Sequence, residues 1–210
     1  MTDDRPRLVL LHDDDGTPDD WRDFVPLLES RFTVETPALP AGDRDVRLAA
    51  LRTLADESVA VVGHGTGGSL AIALAAEGLV GAMVLLGAPP ADAIDDAALA
   101  AFEFPVLLLW GEDDERVPVS VAESLNDAMP TSTLGILPGC GHDLPAEAPA
   151  TLAPMILEYL RARYLKAPHH HGTGLDGVVQ VQLERRPPWV DLAEDERDPW
   201  FDVDDEEAAP

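Results

Sequence analysis

The chain has 210 residues, of which 40 are Asp or Glu and 14 are Lys or Arg, so its formal net charge is −26. Nucleic acids and anionic membrane surfaces bind clustered Lys and Arg, so this charge excludes both as partners. No apolar run approaches the roughly 18 residues of a membrane-spanning helix, and the acidic N-terminus is unlike a secretion signal. A single cysteine, Cys140, excludes an internal disulfide and fits a reducing compartment. We therefore expect a cytoplasmic protein.

Residues 1–165 alternate short apolar runs with amphipathic stretches, which is typical of β/α units around a mainly parallel sheet. In chain order the pattern predicts strand Leu8–His12, helix Asp20–Arg31, strand Phe32–Glu35, helix Asp43–Ala55, strand Val59–Val62, helix Gly67–Ala76, strand Val80–Leu86, helix Ile94–Phe102, strand Val106–Trp110, helix Val119–Ala128, strand Ser132–Leu137 and helix Leu152–Tyr164. Helical spacing places Leu27 and Val46 on the buried faces of the first two helices. We expect one α/β domain with six strands and helices on both faces of the sheet.

Residues 166–210 differ in character and are predicted to be an acidic C-terminal extension. Near its start, the three histidines at 169–171 are either solvated or able to chelate a transition metal. Trp189, Trp200 and Phe201 follow among acidic residues. One interpretation is a disordered solubilising tail. The other is a binding element over residues 178–205, in which these aromatic side chains anchor a protein partner or a second copy of the chain.

Four short segments stand in the order expected of a catalytic framework. They are L-V-L-L-H-D at Leu8–Asp13, V-V-G-H-G-T-G-G at Val61–Gly68, L-L-L-W-G-E-D-D-E-R-V-P at Leu107–Pro118 and L-P-G-C-G-H at Leu137–His142. The second joins a predicted strand to an Ala-rich helix and looks like a nucleophile elbow. Together the segments resemble the α/β-hydrolase superfamily, in which elbow, acid and histidine follow one another in this order.

This resemblance covers about residues 7–165 and implies an α/β-hydrolase-like core. Only a short segment separates the predicted fourth and fifth strands, where many members of the superfamily insert a cap, so the core is expected to be capless. By resemblance the site comprises a vacant nucleophile position at Gly65, a dyad of His142 and Asp114, and an oxyanion-hole region containing Asp13, Asp14 and Thr66. A small-molecule ligand would bind in the pocket near Gly65. No metal or cofactor is implied.

The residue at the nucleophile position departs from the superfamily pattern. Glycine has no side chain, so the acyl-enzyme mechanism of serine hydrolases cannot run at Gly65. Three nearby groups are poor substitutes. Thr66 is expected to point away from the turn, Ser69 to bond back to its own helix, and Cys140 to lack an activating neighbour.

A second departure is the run Asp13-Asp14-Asp15, in the loop where the superfamily usually reads His-Gly. A carboxylate there would oppose the negative charge of an oxyanion. The three side chains either turn outward as a solvated turn, which leaves the backbone amide usable, or gather a divalent cation. The segment lacks the glycine and glutamate placement of an EF-hand loop, which favours the solvated turn.

Two functions remain open from the sequence. One is a hydrolase-fold pseudoenzyme that acts as a binding or assembly subunit through its extension. The other is an active enzyme of the superfamily, either esterase-like or thioesterase-like, or one that uses His142 and Asp114 as a general base. The His/Asp dyad is a working catalytic pair in the second case and a well-packed relic in the first.

Overall fold

The structure is a computed structural model that describes residues 5–91 and 94–164. Its strands are β1 (Arg7–Leu11), β2 (Thr33–Glu35), β3 (Ala60–His64), β4 (Ala82–Leu86), β5 (Val106–Gly111) and β6 (Ser132–Leu137). Its helices are α1 (Val25–Leu28), α2 (Arg44–Leu51), α3 (Thr66–Ala76), α4 (Asp96–Ala100), α5 (Val119–Ala128), α6 (Leu144–Glu147) and α7 (Pro149–Arg163), with a 3₁₀ turn at Pro18–Trp21. All six predicted strands are present, each within two residues of its expected bounds.

The six strands form one sheet in the order β2-β1-β3-β4-β5-β6, and every neighbouring pair is parallel. From β1 the chain continues to β2 on one side and later to β3 on the other. Such a reversal of strand order opens a crevice at the carboxyl ends of the two strands involved. The segments that follow β1 and β3 carry Asp13 and Gly65, so the sheet topology brings these two residues together.

Alternate residues of the central strands face opposite helical layers. Val9 and Leu11 of β1 lie in one core cluster with apolar residues of α2, α3 and α5. Leu8 and Leu10 lie in the other, with residues of α1 and α7. All four side chains are buried. Helices therefore cover both faces of the sheet, as a parallel sheet requires.

The prediction of one continuous helix over Asp20–Arg31 is wrong. Instead, the chain forms the 3₁₀ turn Pro18–Trp21 and then the short helix α1. Pro26 accounts for the break, because a proline lacks an N–H and fits only the first turn of a helix. Leu27, predicted to be buried, is 41% exposed, whereas Phe24 and Leu28 fill the core.

Val46 is also exposed, contrary to prediction, at 46% of its surface. Helix α2 buries Leu48 and Leu51, which are three residues apart and share one face. Val46 is two residues from Leu48, which places it on the opposite side of the helix. Among residues 5–91 and 94–164, no helix has the length and apolarity needed to cross a membrane.

The C-terminal extension, with residues 169–171, Trp189, Trp200 and Phe201, lies outside the described residues. Its predicted binding role therefore remains a prediction.

Candidate active site

A sharp turn between β3 and α3 places Gly65 at the carboxyl edge of the sheet. Gly65 has φ +54° and ψ −127°, a backbone conformation that side chains rarely adopt. Its N–H donates to the carbonyl of Leu86, 3.0 Å away, and the Gly68 N–H returns to the Gly65 carbonyl at 2.9 Å. The turn has the shape expected of a nucleophile elbow, although residue 65 has no side chain to present.

His142 and Asp114 form the hydrogen bond that the sequence predicts. Nδ1 of His142 lies 2.8 Å from Oδ2 of Asp114. The other carboxylate oxygen of Asp114 accepts the backbone N–H groups of Arg116 at 2.9 Å and Val117 at 2.8 Å. Asp114 is buried, so these bonds fix its carboxylate and, through it, the orientation of the imidazole.

The Asp13 carboxylate occupies the space into which a side chain at position 65 would project. A Cβ atom placed on Gly65 would lie 2.6 Å from Oδ2 of Asp13, well inside van der Waals contact. Oδ1 of Asp13 accepts from the Thr66 N–H, the Thr66 hydroxyl and the Asp14 N–H, each at 2.8 Å. The Thr66 N–H follows the elbow and would be an oxyanion-hole donor in this fold. In this chain the Thr66 N–H already donates to the Asp13 carboxylate.

Two basic side chains face the second oxygen of the same carboxylate. Nη2 of Arg116 lies 2.9 Å from Oδ2 of Asp13, and Nε2 of His142 lies 3.5 Å from it. The His142 side chain is 9% exposed and its Nε2 makes no hydrogen bond, so this atom interacts with Asp13 as an ion pair when the imidazole is protonated. The imidazole of His142 thus lies between two carboxylates, those of Asp13 and Asp114.

The charges of these neighbours change the proton affinities within the site. Burial alone would raise the pKa of the Asp13 carboxyl, but contacts with His142 and Thr66 outweigh it and hold that pKa well below its usual range. Asp13 in turn raises the pKa of His142; burial opposes this change and the bond to Asp114 adds to it. Each group therefore stabilises the charged form of the other.

The three aspartates after β1 do not share one environment, which corrects the expectation of a solvated turn. Asp13 is buried, whereas Asp14 and Asp15 are exposed. The side chain of Arg47 pairs with Asp14, and Nη1 of Arg116 lies 3.3 Å from Asp15. Among the described residues, no group of three or more His, Cys, Asp or Glu is placed to hold a metal ion.

The other candidate nucleophiles are engaged or unactivated. Thr66 turns its hydroxyl toward Asp13, contrary to the expectation that it points away from the turn. The Ser69 hydroxyl donates to the carbonyl of Pro89 at 2.9 Å and does not bond back to its own helix. Burial, with Glu147 and Asp113 nearby, raises the pKa of the Cys140 thiol and so reduces its thiolate fraction.

Two residues of the site were missed by the sequence reasoning. Arg116 pairs with an aspartate 103 residues earlier in the chain, and no local pattern signals that contact. His64 donates through Nε2 to the carbonyl of His142 at 2.9 Å, and the two imidazole rings lie 4.9 Å apart. A histidine immediately before the elbow was visible in the sequence, but its bond to the His142 loop was not.

With this geometry in place, comparison with known proteins identifies the family. The family model of the dienelactone hydrolase family matches residues 14–152, about two thirds of the chain. The chain belongs to the dienelactone hydrolase family. The membership covers the elbow, Asp114 and His142, so these positions lie within the region that the family shares.

Curated relatives of this family member match it over short segments. The chain is 35% identical over 57 residues to an uncharacterized hydrolase, YugF, of Bacillus subtilis, which is 27% of this chain and 21% of the relative. It is 36% identical over 63 residues to a 2-hydroxy-6-oxononadienedioate/2-hydroxy-6-oxononatrienedioate hydrolase of Burkholderia vietnamiensis, which is 30% of this chain and 22% of the relative. The matched segments thus span about a fifth of each relative's length.

Solved structures extend the fold comparison to most of this dienelactone hydrolase family member. A predicted CIB-like hydrolase from Thermoplasma acidophilum has a TM-score of 0.69 at 20% identity, covering 77% of this chain and 89% of that one. Carboxylesterase CesB from Bacillus subtilis has a TM-score of 0.64 at 18% identity, covering 76% and 85%. At these identities the similarity shows the fold alone, and it confirms the α/β-hydrolase-like core.

Proposed function

We propose that this member of a hydrolase-fold family has lost serine-hydrolase chemistry and acts as a binding or assembly subunit. The observation that carries the first part is the Asp13 carboxylate in the space of a nucleophile side chain. Residue 65 supplies no nucleophile, and Asp13 excludes an acyl group from the place where it would be attached. The two changes reinforce each other, because each alone would impair acyl transfer.

The charge at the elbow argues in the same direction. An acyl-transfer site stabilises a developing oxyanion with preorganised N–H donors. Here the Thr66 N–H is bonded to a full negative charge at 2.8 Å, so an oxyanion would have to displace that carboxylate or form beside it. Both alternatives oppose catalysis of this type.

A second candidate is a working enzyme in which His142 and Asp114 supply general base catalysis. It is favoured by the 2.8 Å bond between their side chains and by the buried Nε2 of His142, which makes no hydrogen bond. A histidine acts as a general base only in its neutral form. The carboxylate of Asp13 raises the pKa of His142, which reduces the neutral fraction near pH 7 and makes this candidate the weaker of the two.

Fluorophosphonate labelling and p-nitrophenyl acetate turnover distinguish these functions. We expect no labelling of the wild type. Gly65→Ser alone should also stay unlabelled, because the new side chain collides with Asp13. The double variant Asp13→Gly/Gly65→Ser clears that space and should become labelled. Its matched control, the same double variant with His142→Ala, should lose most of this reactivity.

Each outcome of that series bears on the proposal. Labelling of the wild type at any hydroxyl or thiol would overturn it. Wild-type turnover that is abolished by His142→Gln, without labelling, would establish the second candidate instead. A double variant that folds but stays unlabelled would show that the remaining frame has diverged beyond its nucleophile and oxyanion loop.

The assembly role is supported by sequence alone. Residues 178–183 read V-V-Q-V-Q-L, an alternation suited to edge-strand pairing, and Trp189, Trp200 and Phe201 follow among carboxylates. Deleting residues 185–210 should leave the core folded and abolish a complex or change the oligomeric state seen by native mass spectrometry. Identical assemblies from the full and truncated chains would reject this role.

A further inference from the structure

The groups around the Asp13 carboxylate form an anion-binding cradle. It consists of the Thr66 N–H and hydroxyl at the first turn of α3, the guanidinium of Arg116 and the imidazole Nε2 of His142. Thr66 bonds one carboxylate oxygen at 2.8 Å, while Arg116 at 2.9 Å and His142 at 3.5 Å face the other. The N-terminal end of an 11-residue helix adds its positive dipole.

The cradle is assembled from three separate parts of the chain. Thr66 begins α3, Arg116 lies in the loop after β5, and His142 lies in the loop after β6. Asp13 is the carboxylate that these parts surround, and it comes from a fourth segment, after β1. The three donor groups are therefore positioned by segments other than the one that carries the Asp13 side chain.

Removing the Asp13 carboxylate would take a buried anionic partner away from both Arg116 and His142. Arg116 would then pair only with the exposed carboxylate of Asp15, 3.3 Å from its Nη1. His142 would keep only Asp114, whose carboxylate already accepts two backbone N–H groups. The His142 side chain is 9% exposed and its Nε2 has no hydrogen bond, so this atom would point into the vacated space. A small monoanion with two oxygens would restore both the charge and the donors' partners.

We propose that Asp13 is a tethered ligand that blocks a binding site for a small monocarboxylate, and that the site takes a free carboxylate when Asp13 is absent or displaced. Formate matches the carboxylate in size. Acetate carries a methyl group that would stand where the Asp13 Cβ now lies, close to the main chain of residue 13. The site should therefore prefer formate to acetate.

Formate binding to Asp13→Gly tests this site, with Asp14→Gly as the matched control. Asp14 is the next residue in the same loop, and its side chain pairs with Arg47 outside the cradle. Thermal unfolding is followed against sodium formate, with sodium chloride at the same ionic strength. In Asp13→Gly, formate at ten times its dissociation constant should raise Tm by about 3–6 °C, and the rise should saturate. The wild type and Asp14→Gly should respond to formate only as they do to chloride.

Two further measurements separate binding in the cradle from a general salt effect. The double variant Asp13→Gly/Arg116→Gln should bind formate at least about tenfold more weakly, since a charge-assisted bond is lost. In Asp13→Gly the NMR titration midpoint of His142 should fall, and saturating formate should move it back toward the wild-type value. These readouts are independent of ester turnover, so the proposal stands or falls separately from the lost serine-hydrolase chemistry.

If Asp13→Gly does not fold, Asp13→Ser serves as the second variant. It keeps a small polar side chain and still removes the carboxylate. Recovery of either variant by formate, and not by chloride, would support the tethered-ligand assignment. The assignment is overturned if formate and chloride act alike on both variants, if His142 does not respond to formate, or if neither variant folds at any formate concentration.

Discussion

His64 donates a hydrogen bond from Nε2 to the backbone carbonyl of His142, 2.9 Å away. This bond joins the last residue of β3 to the loop after β6, which are 78 residues apart in the chain. The elbow and the histidine loop are therefore held together by a contact that involves no nucleophile. That contact explains how the His142–Asp114 geometry persists although residue 65 is a glycine.

Replacing His64 by alanine should destabilise the protein and loosen the His142 loop. His64 is buried, and its loss leaves the His142 carbonyl without this partner and opens a cavity. We expect the free energy of unfolding to fall by about 2–3 kcal/mol, measured by urea denaturation. His64→Gln, which keeps a donor, should recover part of that loss. Equal stability of the wild type and His64→Ala would contradict the anchoring role.

The sequence predicts the structure correctly where the local pattern of residues is compatible with only one kind of secondary structure. Six apolar runs became six parallel strands, and the central ones are buried on both faces of the sheet. The positions of Gly65, Asp114 and His142 followed from loops that leave β3, β5 and β6. These are consequences of topology, which the order of short motifs already specified.

The burial of the Asp13 side chain could not be predicted from the sequence. Whether this side chain points into the protein or toward solvent depends on partners that are distant in the chain. Inward placement requires Arg116, which is 103 residues away, and the Thr66 amide, which is 53 residues away. Before the fold is formed, the three aspartates after β1 are equivalent. Only the absence of a Cβ at Gly65 leaves space for one of them.

Gly67→Ala tests the close packing of the elbow helix against β1. In most helices such a change is stabilising. Here the new Cβ would lie 2.6 Å from the His12 carbonyl oxygen, which belongs to backbone and cannot easily shift. We expect a loss of about 3 kcal/mol in the free energy of unfolding, measured by chemical denaturation.

Gly78→Ala is the control for that substitution. Gly78 has φ +75°, and a Cβ at this position would enter open space, with no contact within 4 Å. Backbone strain alone should therefore lower the free energy of unfolding, by about 1 kcal/mol. Equal losses in the two variants would show that packing against β1 is unimportant.

Arg116→Gln should destabilise the protein more than Arg47→Gln. Arg116 pairs with the buried carboxylate of Asp13, whereas Arg47 pairs with the exposed carboxylate of Asp14. Arg116 is itself 53% exposed, so solvent screening limits the effect to about 1–2 kcal/mol, against less than about 1 kcal/mol for Arg47→Gln. Urea denaturation at pH 6 compares them, and a larger loss in Arg47→Gln would contradict the assigned importance of the Asp13 contact.

The ion pair between Asp13 and His142 should confine part of the stability to a window of pH. The pKa of Asp13 is lower in the folded state than its ordinary value of 3.8, so its contribution is present above about pH 4 and is lost as the pH falls. The pKa of His142 is higher than its ordinary value of 6.5, so its contribution is present below pH 6.5 and is lost as the pH rises. Both contributions are complete only between these limits.

Asp13→Asn isolates this window, because the amide keeps the shape of the side chain and removes its charge. The free energy of unfolding of the wild type and the variant is measured from about pH 3 to pH 9. The difference between them should be largest from about pH 4 to 6.5 and decline on both sides. Asp114, Arg116 and His64 also face His142, and the variant keeps all three side chains. Burial lowers the pKa of His64 and the charge of Asp13 partly opposes this, so below pH 6.5 His64 destabilises the variant more than the wild type and adds to the difference. A difference that stays constant over the whole range would show that Asp13 and His142 do not interact as charges.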